Sequence, residues 1–597
     1  MSKLQDFDDL TRNNDRPSDK ALAAVKNLLV GPTKQLEDID AEMHRLEEAM
    51  RELQEKRVKI DNSVRHYKCI SAPIRRIPPD ILFKIFRHCQ PTHRNPTMAA
   101  SEAPMLLTRV CSRWRSIALA SPRLWARIHV SFRKESSISG GIPGYPAISS
   151  ETVSSFLQLR CHALKEWLSR SGNCPLSISI NYPPTYTTSM EPLDKSTILL
   201  LKTILLFSSR WRTLELNVPT DVYIELESML SDSTLLILAQ LRVLVRGCYP
   251  GTFIEVEYPP AVLLKSPSLK RISISLPYSN IGLAKYIDVK ILPWRNITHF
   301  YNHALCTMLD TITLLKCCSR LVHASLTLTS EGDLEVQETI PLPFLMSLWI
   351  TEASQSSSVM DSIYQCINAP DLRWIQHQID AYSGRDMISN DYRGPSVLPL
   401  VERAVGIRIL EIDRFHFSPD TLRRILEVPS ATFYLNTLHL NAPRSHMGLD
   451  CADPFDLNDL IVKDVPDLND RSALLPRLEN FELYTTRVSH DTLLEFVTSR
   501  MDKKSPIYVL KKVVIVFDLL QEKDQSNIEQ EIRKRAAAAG IEIDVTIRYP
   551  SPNTGTYLDP LSPSHIRDGL YLQAQDADVT SWNFPELTLD MAEDGSM

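Results

Sequence analysis

A short pattern of the form apolar-x-x-apolar-x-apolar recurs in the chain from about residue 151 onward, and no other feature restricts the possible folds as strongly. Seven clear copies begin at Trp211, Leu269, Leu345, Ile407, Leu435, Leu478 and Leu510. Four weaker copies begin at Leu241, Ile297, Leu321 and Leu372, and successive copies start 24 to 43 residues apart. Such a period is typical of repeat proteins, in which each unit buries its apolar faces only against its neighbours.

Helical candidates lie between several copies, at 199–207, 308–317, 421–426 and 492–497. Strands that alternate with helices at this spacing predict an α/β fold. We expect one irregular α/β solenoid over residues 151–550, with its first strand at 174–180 and its last at 541–549. Separate α/β domains with their own parallel sheets would show the same alternation, and this alternative stays open.

The copies resemble leucine-rich repeats, although their period is slightly long and irregular for that family. The family carries Asn or Cys three residues after the last apolar position, whereas this chain has Pro219, Pro277, Pro443 and other residues there. The asparagine ladder is absent, so we expect an irregular horseshoe whose turns are closed by proline. The resemblance implies a concave face that binds another protein.

A heptad pattern precedes the repeats. Apolar residues follow alternating spacings of three and four, with Arg57 at the one missing position. They are Leu36, Ile39, Met43, Leu46, Met50, Leu53, Ile60 and Val64. The pattern predicts a coiled-coil helix over 34–68 that forms a homodimer through residues 36–64 or packs on a partner. A helix folded onto its own domain is the alternative. Residues 1–33 are predicted to be a mobile leader that ends at Gly31-Pro32, with at most a short helix at 21–30.

Three blocks of residues between 73 and 130 predict a small all-α module. Pro78 and Pro79 suit the first turn of a helix, where a missing N–H costs nothing, and Asp80 is favoured there by the helix dipole. The blocks are Ile77-Pro78-Pro79-Asp80-Ile81-Leu82 with Ile85-Phe86, then Val110-Cys111-Ser112-Arg113-Trp114-Arg115, then Pro122-Arg123-Leu124-Trp125. In this order they resemble an F-box, the module that docks a substrate receptor on the Skp adaptor of a cullin-RING ubiquitin ligase.

Two departures from the F-box pattern concern its first half. Ile77 stands where the family usually has Leu, an exchange that conserves volume. A polar insertion over 90–104 separates the first two helices, and lengthening a loop costs little entropy. The order of heptad helix, F-box and repeats also resembles the large F-box families of mushroom-forming fungi.

The resemblance implies seven adaptor-binding residues: Pro78, Ile81, Leu82, Ile85, Phe86, Val110 and Trp114. The four apolar residues of the first helix, at 81, 82, 85 and 86, exceed what so small a bundle can bury by itself, which indicates a partner. Residues 73–130 contain ten Lys or Arg and two Asp or Glu. This balance favours an acidic protein, and the family's adaptor is acidic. A nucleic-acid surface is the alternative, but the arginines are scattered and match no groove-reading motif.

The sequence offers little support for catalysis. It has no phosphate-binding loop, dinucleotide fingerprint or nucleophile elbow. His299 and His303 have the spacing of a zinc pair without a third ligand, and we expect no metal and no cofactor. Cys161-His162 and Cys317-Cys318 lie in apolar predicted helices, where a structural role is favoured over a reactive thiol.

The remaining features concern location and termini. The 11 cysteines include no Cys-x-x-Cys pair, which favours a reduced compartment, the cytoplasm or the nucleus. Apolar runs are too short for a membrane span. Residues 131–150 are predicted to be a linker. Residues 551–597 hold eight acidic residues and one base, and they are predicted to be a disordered acidic tail. Within it, Tyr571 and Trp582-Asn583-Phe584 are a candidate docking motif.

These observations predict a non-catalytic substrate-recognition subunit of an SCF-type (Skp-cullin-F-box) ubiquitin ligase. The F-box would bind the Skp adaptor of the cullin complex, and the repeats would bind a protein client. Two alternatives stay open: a non-catalytic scaffold that assembles through its coiled coil and repeats, and a hydrolase in the repeat region whose motif is not recognisable.

Overall fold

The structure is a computed structural model, and it divides the chain into two compact units, Met1–Ile85 and Phe86–Met597. The residues that it describes are 16–92, 94–131, 150–182, 193, 195–231, 235–246, 261–276, 294–329, 338–352, 363–379, 397–413, 419–441, 456–462, 474–485, 488–501, 507–517 and 528–549. The predicted tail, residues 551–597, lies outside these residues, as do 1–15 of the predicted leader and 132–149 of the predicted linker.

The first unit is dominated by one helix, α1, which spans Asp19–Ser71. The backbone N–H of Ala21 donates to the Ser18 hydroxyl at 3.2 Å, and this bond caps the helix at its start. Pro32 lies inside the helix. The prediction that Gly31-Pro32 separates a leader from the heptad helix is therefore wrong, because the lost hydrogen bond of one proline is tolerated in so long a helix. A 3₁₀ turn at Pro73–Arg76 follows.

The heptad positions of α1 are exposed. Seven of the eight apolar seam residues are 54 to 64% exposed, Val64 is 39% exposed, and no residue of the helix is buried. The apolar seam of α1 is therefore exposed along its whole length.

The second unit contains one parallel sheet of fourteen strands, which lie in the sheet in sequence order. They are β1 Arg127–Ser131, β2 Leu176–Asn181, β3 Trp211–Pro219, β4 Gln240–Arg246, β5 Arg271–Ser275, β6 His299–Cys306, β7 His323–Leu328, β9 Ser347–Glu352, β11 Trp374–Ile379, β12 Ile409–Asp413, β13 Thr437–Asn441, β14 Asn480–Thr485, β15 Lys512–Phe517 and β16 Asp544–Arg548. Two short strands, β8 Ile340–Pro341 and β10 Ile367–Asn368, pair with each other. A single continuous sheet does not fit the alternative of separate α/β domains.

Helices connect many of the strands. After α2 at Pro79–His88, which crosses the boundary between the units, they are α3 Ser112–Leu119, α4 Ser150–Arg170, α5 Lys195–Leu205, α6 Thr220–Met229, α7 Met308–Cys317, α8 Leu398–Arg403, α9 Pro419–Glu427, α10 Pro429–Thr432, α11 His490–Ser499 and α12 Ile528–Ala538. Elsewhere short 3₁₀ turns replace a helix, as at Val262–Lys265 and Trp294–Asn296. The predicted alternation of strands and helices is thus confirmed at the level of a mixed α/β fold.

The apolar pattern sets the register of the sheet. Ten of the eleven predicted copies place their second apolar residue in one cross-strand row, none of whose members is more than 1% exposed. The row is Ile128, Ile178, Leu214, Leu241, Ile272, Phe300, Ala324, Leu348, Ile375, Leu410, Leu438, Phe481, Val513 and Val545. The copy predicted to begin at Leu241 begins three residues earlier, at buried Leu238. Leu241 is therefore its second apolar residue and lies in the row.

The first strand is not the predicted one. Arg127–Ser131 pairs in parallel with Leu176–Asn181, so the sheet begins before residue 151 and inside the predicted F-box. Its sequence follows the repeat pattern as Trp125-x-x-Ile128-x-Val130. The last strand, Asp544–Arg548, lies within the predicted 541–549. Among the described residues, no helix has both the length and the apolarity needed to span a membrane.

Candidate functional site

The first helix of the candidate docking module begins as the sequence predicts. The backbone N–H of Leu82 donates to the carbonyl of Pro78 at 3.0 Å, and Asp80 lies in the first turn of α2. Pro78 is exposed. The helix therefore starts at the proline pair, where the missing N–H groups leave no hydrogen bond unmade.

The apolar residues of α2 divide into two pairs. Ile81 and Ile85 are 40% and 39% exposed, whereas Leu82 and Phe86 are completely buried. Each pair is separated by four residues, so its members lie one above the other on the helix. The prediction that all four bind a partner must be revised, because Leu82 and Phe86 already belong to the interior. The role of Ile81 and Ile85 as partner contacts stays a prediction.

The second block is built around Trp114. Its backbone N–H donates to the Cys111 sulfur at 3.5 Å, so Cys111 caps α3 and Val110 precedes the helix. Val110 was expected on the helix face, yet it ends a 3₁₀ turn at Leu107–Arg109 and is 54% exposed. The half-buried ring of Trp114 packs on Phe86, with 4.8 Å between ring centroids. Trp114 therefore mainly packs against Phe86, whereas the Val110 side chain is exposed to solvent.

The third block closes the module. Trp125 is fully buried and donates its indole N–H to the carbonyl of Ala118 at 2.8 Å. Its ring meets Trp167 of α4 edge-on, with 4.9 Å between centroids, and the Arg170 guanidinium lies 4.8 Å from it. Trp125 thus joins the module to the helix that leads into the sheet.

The polar insertion at 90–104 is not a simple loop. Asn95 is buried and donates from Nδ2 to the Ser179 hydroxyl at 3.2 Å. Its Oδ1 accepts hydrogen bonds from Ser177 Oγ at 3.0 Å and from Arg127 Nε at 3.2 Å. The insertion therefore binds the first two strands of the sheet through one amide side chain.

Arg127 extends this network. Its guanidinium donates to the carbonyls of Pro91 at 3.2 Å and Arg94 at 2.7 Å. Burial lowers the pKa of Arg127, and nearby Glu215 partly opposes this effect. Arg94 in turn binds Glu102 at 2.8 Å, which fixes the two ends of the insertion to each other. Two of the ten basic residues counted from the sequence therefore have an internal structural role.

The other eight basic residues of the module are exposed. Arg75, Arg76 and Lys84 belong to the first unit, and Arg87, Arg109, Arg113, Arg115 and Arg123 belong to the second. Exposed apolar residues accompany them, including three that no sequence pattern indicates: Ile74, Leu106 and Leu119. Their spacing from Ile81, Val110 and Trp114 carries no signal that would have identified them in advance.

The residues considered for other chemistry lie apart. His299 and His303 are four residues apart on strand β6, about 13 Å along an extended chain, and His299 packs on the ring of His323. Within the described ranges, no group of three His, Cys, Asp or Glu residues is placed to hold a metal ion. Cys161 and Cys318 are buried, and burial raises the pKa of both thiols, which disfavours the reactive thiolate.

Residues 74–131 match the F-box-like protein-family model. The match begins one residue after the start that the sequence predicts, and it ends at Ser131, the last residue of β1. None of the curated proteins compared with the chain matches it. The chain therefore carries an F-box-like domain, and the last residues of this domain are the first strand of the sheet.

Proposed function

We propose that this chain is the substrate-recognition subunit of an SCF-type ubiquitin ligase, docking on a Skp adaptor through residues 74–131 and binding a protein client through the parallel sheet. The match to the F-box-like family carries this proposal. Exposed apolar residues on α2 and before α3 support it. Burying Ile81, Ile85 and Val110 against a partner would remove their apolar surface from water, which is favourable. Exposed basic residues on both halves of the domain suit an acidic adaptor.

The adaptor contact is tested with recombinant Skp adaptor and the full chain. The double substitution Ile81→Asp and Ile85→Asp should weaken adaptor binding at least tenfold, because it introduces two charges into an apolar contact. Leu309→Asp is the matched control, since Leu309 is an exposed leucine of α7 outside the domain. Leu82→Asp is unsuitable because Leu82 is buried. Equal binding of the wild-type and double-substituted chains would contradict the proposal.

Client binding is assigned to the sheet. The strands resemble those of leucine-rich repeats, and we infer that they form an irregular solenoid. The face opposite the buried row carries charged and aromatic side chains, among them Arg242, Trp349, Glu411 and Glu482, in one cross-strand row. A mixed surface of this kind suits specific protein recognition.

The receptor would perform no bond chemistry of its own. Its contribution is proximity: it raises the effective concentration of a client lysine near a charged conjugating enzyme. We place this activity in the cytoplasm or the nucleus. In cells with the proteasome and neddylation blocked, the full chain should recover adaptor, cullin and clients, and the Ile81→Asp and Ile85→Asp chain should recover clients alone. Recovery of clients without adaptor or cullin by the wild-type chain would favour a scaffold.

Helix α1 favours a second, compatible role in assembly. Its exposed seam over residues 36–64 repeats every seven residues, which suits a homodimeric coiled coil. Leu46→Glu and Leu53→Glu should convert a dimer to a monomer in light scattering. Val58→Glu is the matched control, because Val58 is equally exposed but lies beside the seam. A monomeric wild-type chain would rule out the homodimer.

A further inference from the structure

One edge of the sheet carries exposed side chains of the kind found at protein interfaces. The turns before β12, β13, β14 and β15 present Val405, Tyr434, Arg477 and Tyr508. Val405 is 69% exposed, Tyr434 43% and Tyr508 46%. Turns at a sheet edge are usually polar, so large apolar side chains on successive turns need a reason.

The side chains of Tyr434, Arg477 and Tyr508 lie together, and the Tyr434 ring reaches the turn that holds Val405. The guanidinium carbon of Arg477 lies 5.7 Å from the ring centre of Tyr434 and 5.9 Å from that of Tyr508. The Tyr434 ring also packs on Gly406, where a Cβ atom would lie only 2.8 Å from the ring. We call Val405, Tyr434, Arg477 and Tyr508 the edge patch.

The composition of the edge patch indicates a binding surface. Tyrosine and arginine are enriched among the residues that dominate interface energies. The cation between two rings is already positioned, so little side-chain entropy would be lost when a partner binds.

The surroundings of the edge patch are basic. Arg408, Lys511 and Lys512 are exposed on the same turns and strand starts. The acidic neighbours of the patch are Glu479, which pairs with Lys511 at 2.8 Å, and Asp544, which lies opposite Lys512 in the register of β15 and β16. The positive charges of Arg408 and Arg477 are left over, and they indicate an occupant that is acidic and carries aromatic or apolar residues.

A segment of this chain has that chemistry. Residues 551–597 contain eight acidic residues and one basic residue, together with Tyr571, Trp582 and Phe584. The segment follows β16, which pairs with β15 next to the patch. A strand of five residues is about 17 Å long, so a segment of this length can return from the far end of β16 to the edge where the strands begin. Covalent connection would also give it a high effective concentration.

We propose that the acidic segment 551–597 docks on the edge patch of the same chain, with its carboxylates near Arg477 and Lys512 and an aromatic side chain against the tyrosine rings. This inference does not depend on the adaptor contact proposed above. It assigns a binding surface and a ligand to a part of the sheet that lies outside the F-box-like domain.

Zero-length carboxyl-to-amine crosslinking of the full chain, read by mass spectrometry, tests the proposal. Lys512 should crosslink to acidic residues of 551–597 at least five times more often than Lys270, an exposed lysine on the turn before β5. Arg477→Glu and Tyr508→Ala should each reduce the Lys512 crosslinks at least fivefold. Arg320→Glu is the matched control, because Arg320 is an exposed arginine on the turn before β7, away from the patch.

Isotope labelling separates docking within one chain from docking between chains. In an equal mixture of labelled and unlabelled protein, the Lys512 crosslinks should join residues of the same label. Three results would overturn the proposal. The crosslinks could join different labels, they could spread evenly over exposed lysines, or they could persist in both patch variants. Loss of crosslinks in the patch variants together with unchanged adaptor binding would support it.

Discussion

The indole of Trp125 meets the indole of Trp167 edge-on, with 4.9 Å between ring centroids and an interplanar angle of 79°. Trp125 ends the F-box motif and Trp167 lies on α4, so this pair links the F-box-like domain to the helix before β2. Trp167 also donates its indole N–H to the carbonyl of Arg127 in β1 at 3.2 Å. The domain and the start of the sheet therefore share one core.

Trp167→Ala should destabilise this shared core by about 3–5 kcal/mol, because it removes a large buried ring and a hydrogen bond. Backbone amides of β1 and β2 should then exchange with solvent at least a hundredfold faster in hydrogen-exchange mass spectrometry. Leu159→Ala, at an exposed position of the same helix, should leave their exchange unchanged. If both variants behave alike, the ring pair does not link the two elements.

Asn95→Ala should release the insertion from the sheet. It leaves Ser177, Ser179 and Arg127 without one hydrogen-bond partner each, and unmade buried bonds cost about 1–3 kcal/mol apiece. Limited proteolysis should then cut the chain within 90–104 while the wild-type chain resists. Ser101→Ala, an exposed change in the same insertion, should not increase cleavage. Equal resistance of all three chains would show that the network is dispensable.

Glu227 should make the protein less stable as pH rises. Burial raises the pKa of this carboxyl to about 7, against 4.5 as the ordinary value, although the Tyr223 hydroxyl at 2.6 Å and the N–H of Val262 at 2.9 Å favour the carboxylate. The folded state then holds a proton that the unfolded state has released between these two pH values. The unfolding free energy of the protein therefore falls over that interval, by a total of roughly 3 kcal/mol.

Urea unfolding of the full chain at pH 5, 6, 7 and 8 measures this effect. Glu227→Gln cannot ionise, so its stability relative to wild type should improve from pH 5 to pH 8. Tyr223→Phe removes a hydrogen bond to the carboxylate and should make the loss with pH larger. A pH profile that is the same for Glu227→Gln and wild type would refute the assignment.

Arg500 should act as a structural cation. It is buried and donates to the carbonyls of Leu460 at 3.0 Å, Leu474 at 2.8 Å and Leu475 at 3.0 Å. Burial lowers its pKa to about 10, which still leaves it charged at neutral pH. Arg500→Met would leave these carbonyls unpaired and should cost about 3 kcal/mol or more.

The Arg500 variant can be followed by amide exchange in 457–462 and 474–479, which should increase at least tenfold. Arg424→Met, an exposed arginine on α9, provides the comparison and should exchange as wild type does. Unchanged exchange in Arg500→Met would show that the loops are held by apolar packing alone.

Much of the fold follows from local pattern. A parallel strand must keep its apolar side chains on the core side, so copies of one pattern align in register without further information. Asn302 and His377 mark the limit of this reasoning. They lie two residues after Phe300 and Ile375, in the core row next to the one described above, where their neighbours are Leu326 and Ile412. Both polar side chains are nevertheless fully buried. Asn302 is tolerated because it donates to the Ala304 carbonyl at 2.7 Å, a local bond that no periodicity reveals.

The candidate site was less predictable for a geometric reason. Ile81 and Ile85 form one i, i+4 pair and Leu82 and Phe86 another, and a period of 3.6 residues per turn puts the pairs on adjacent faces. Both pairs are equally apolar, so only the surrounding packing decides which is buried. Likewise the repeat pattern at Trp125, Ile128 and Val130 was assigned to the F-box, although Ile128 and Val130 lie in the first strand of the sheet and Trp125 comes just before it.

The sequence by itself determined the F-box blocks, the heptad seam and the positions of almost all strands, because each depends on residues close together in the chain. Tertiary structure decided that α1 continues through Pro32, that the insertion packs on β1 and β2, and which apolar residues of α2 remain open to a partner. Those outcomes depend on burial and hydrogen bonds between distant residues, such as Asn95 and Ser179, whose free energies no local pattern encodes.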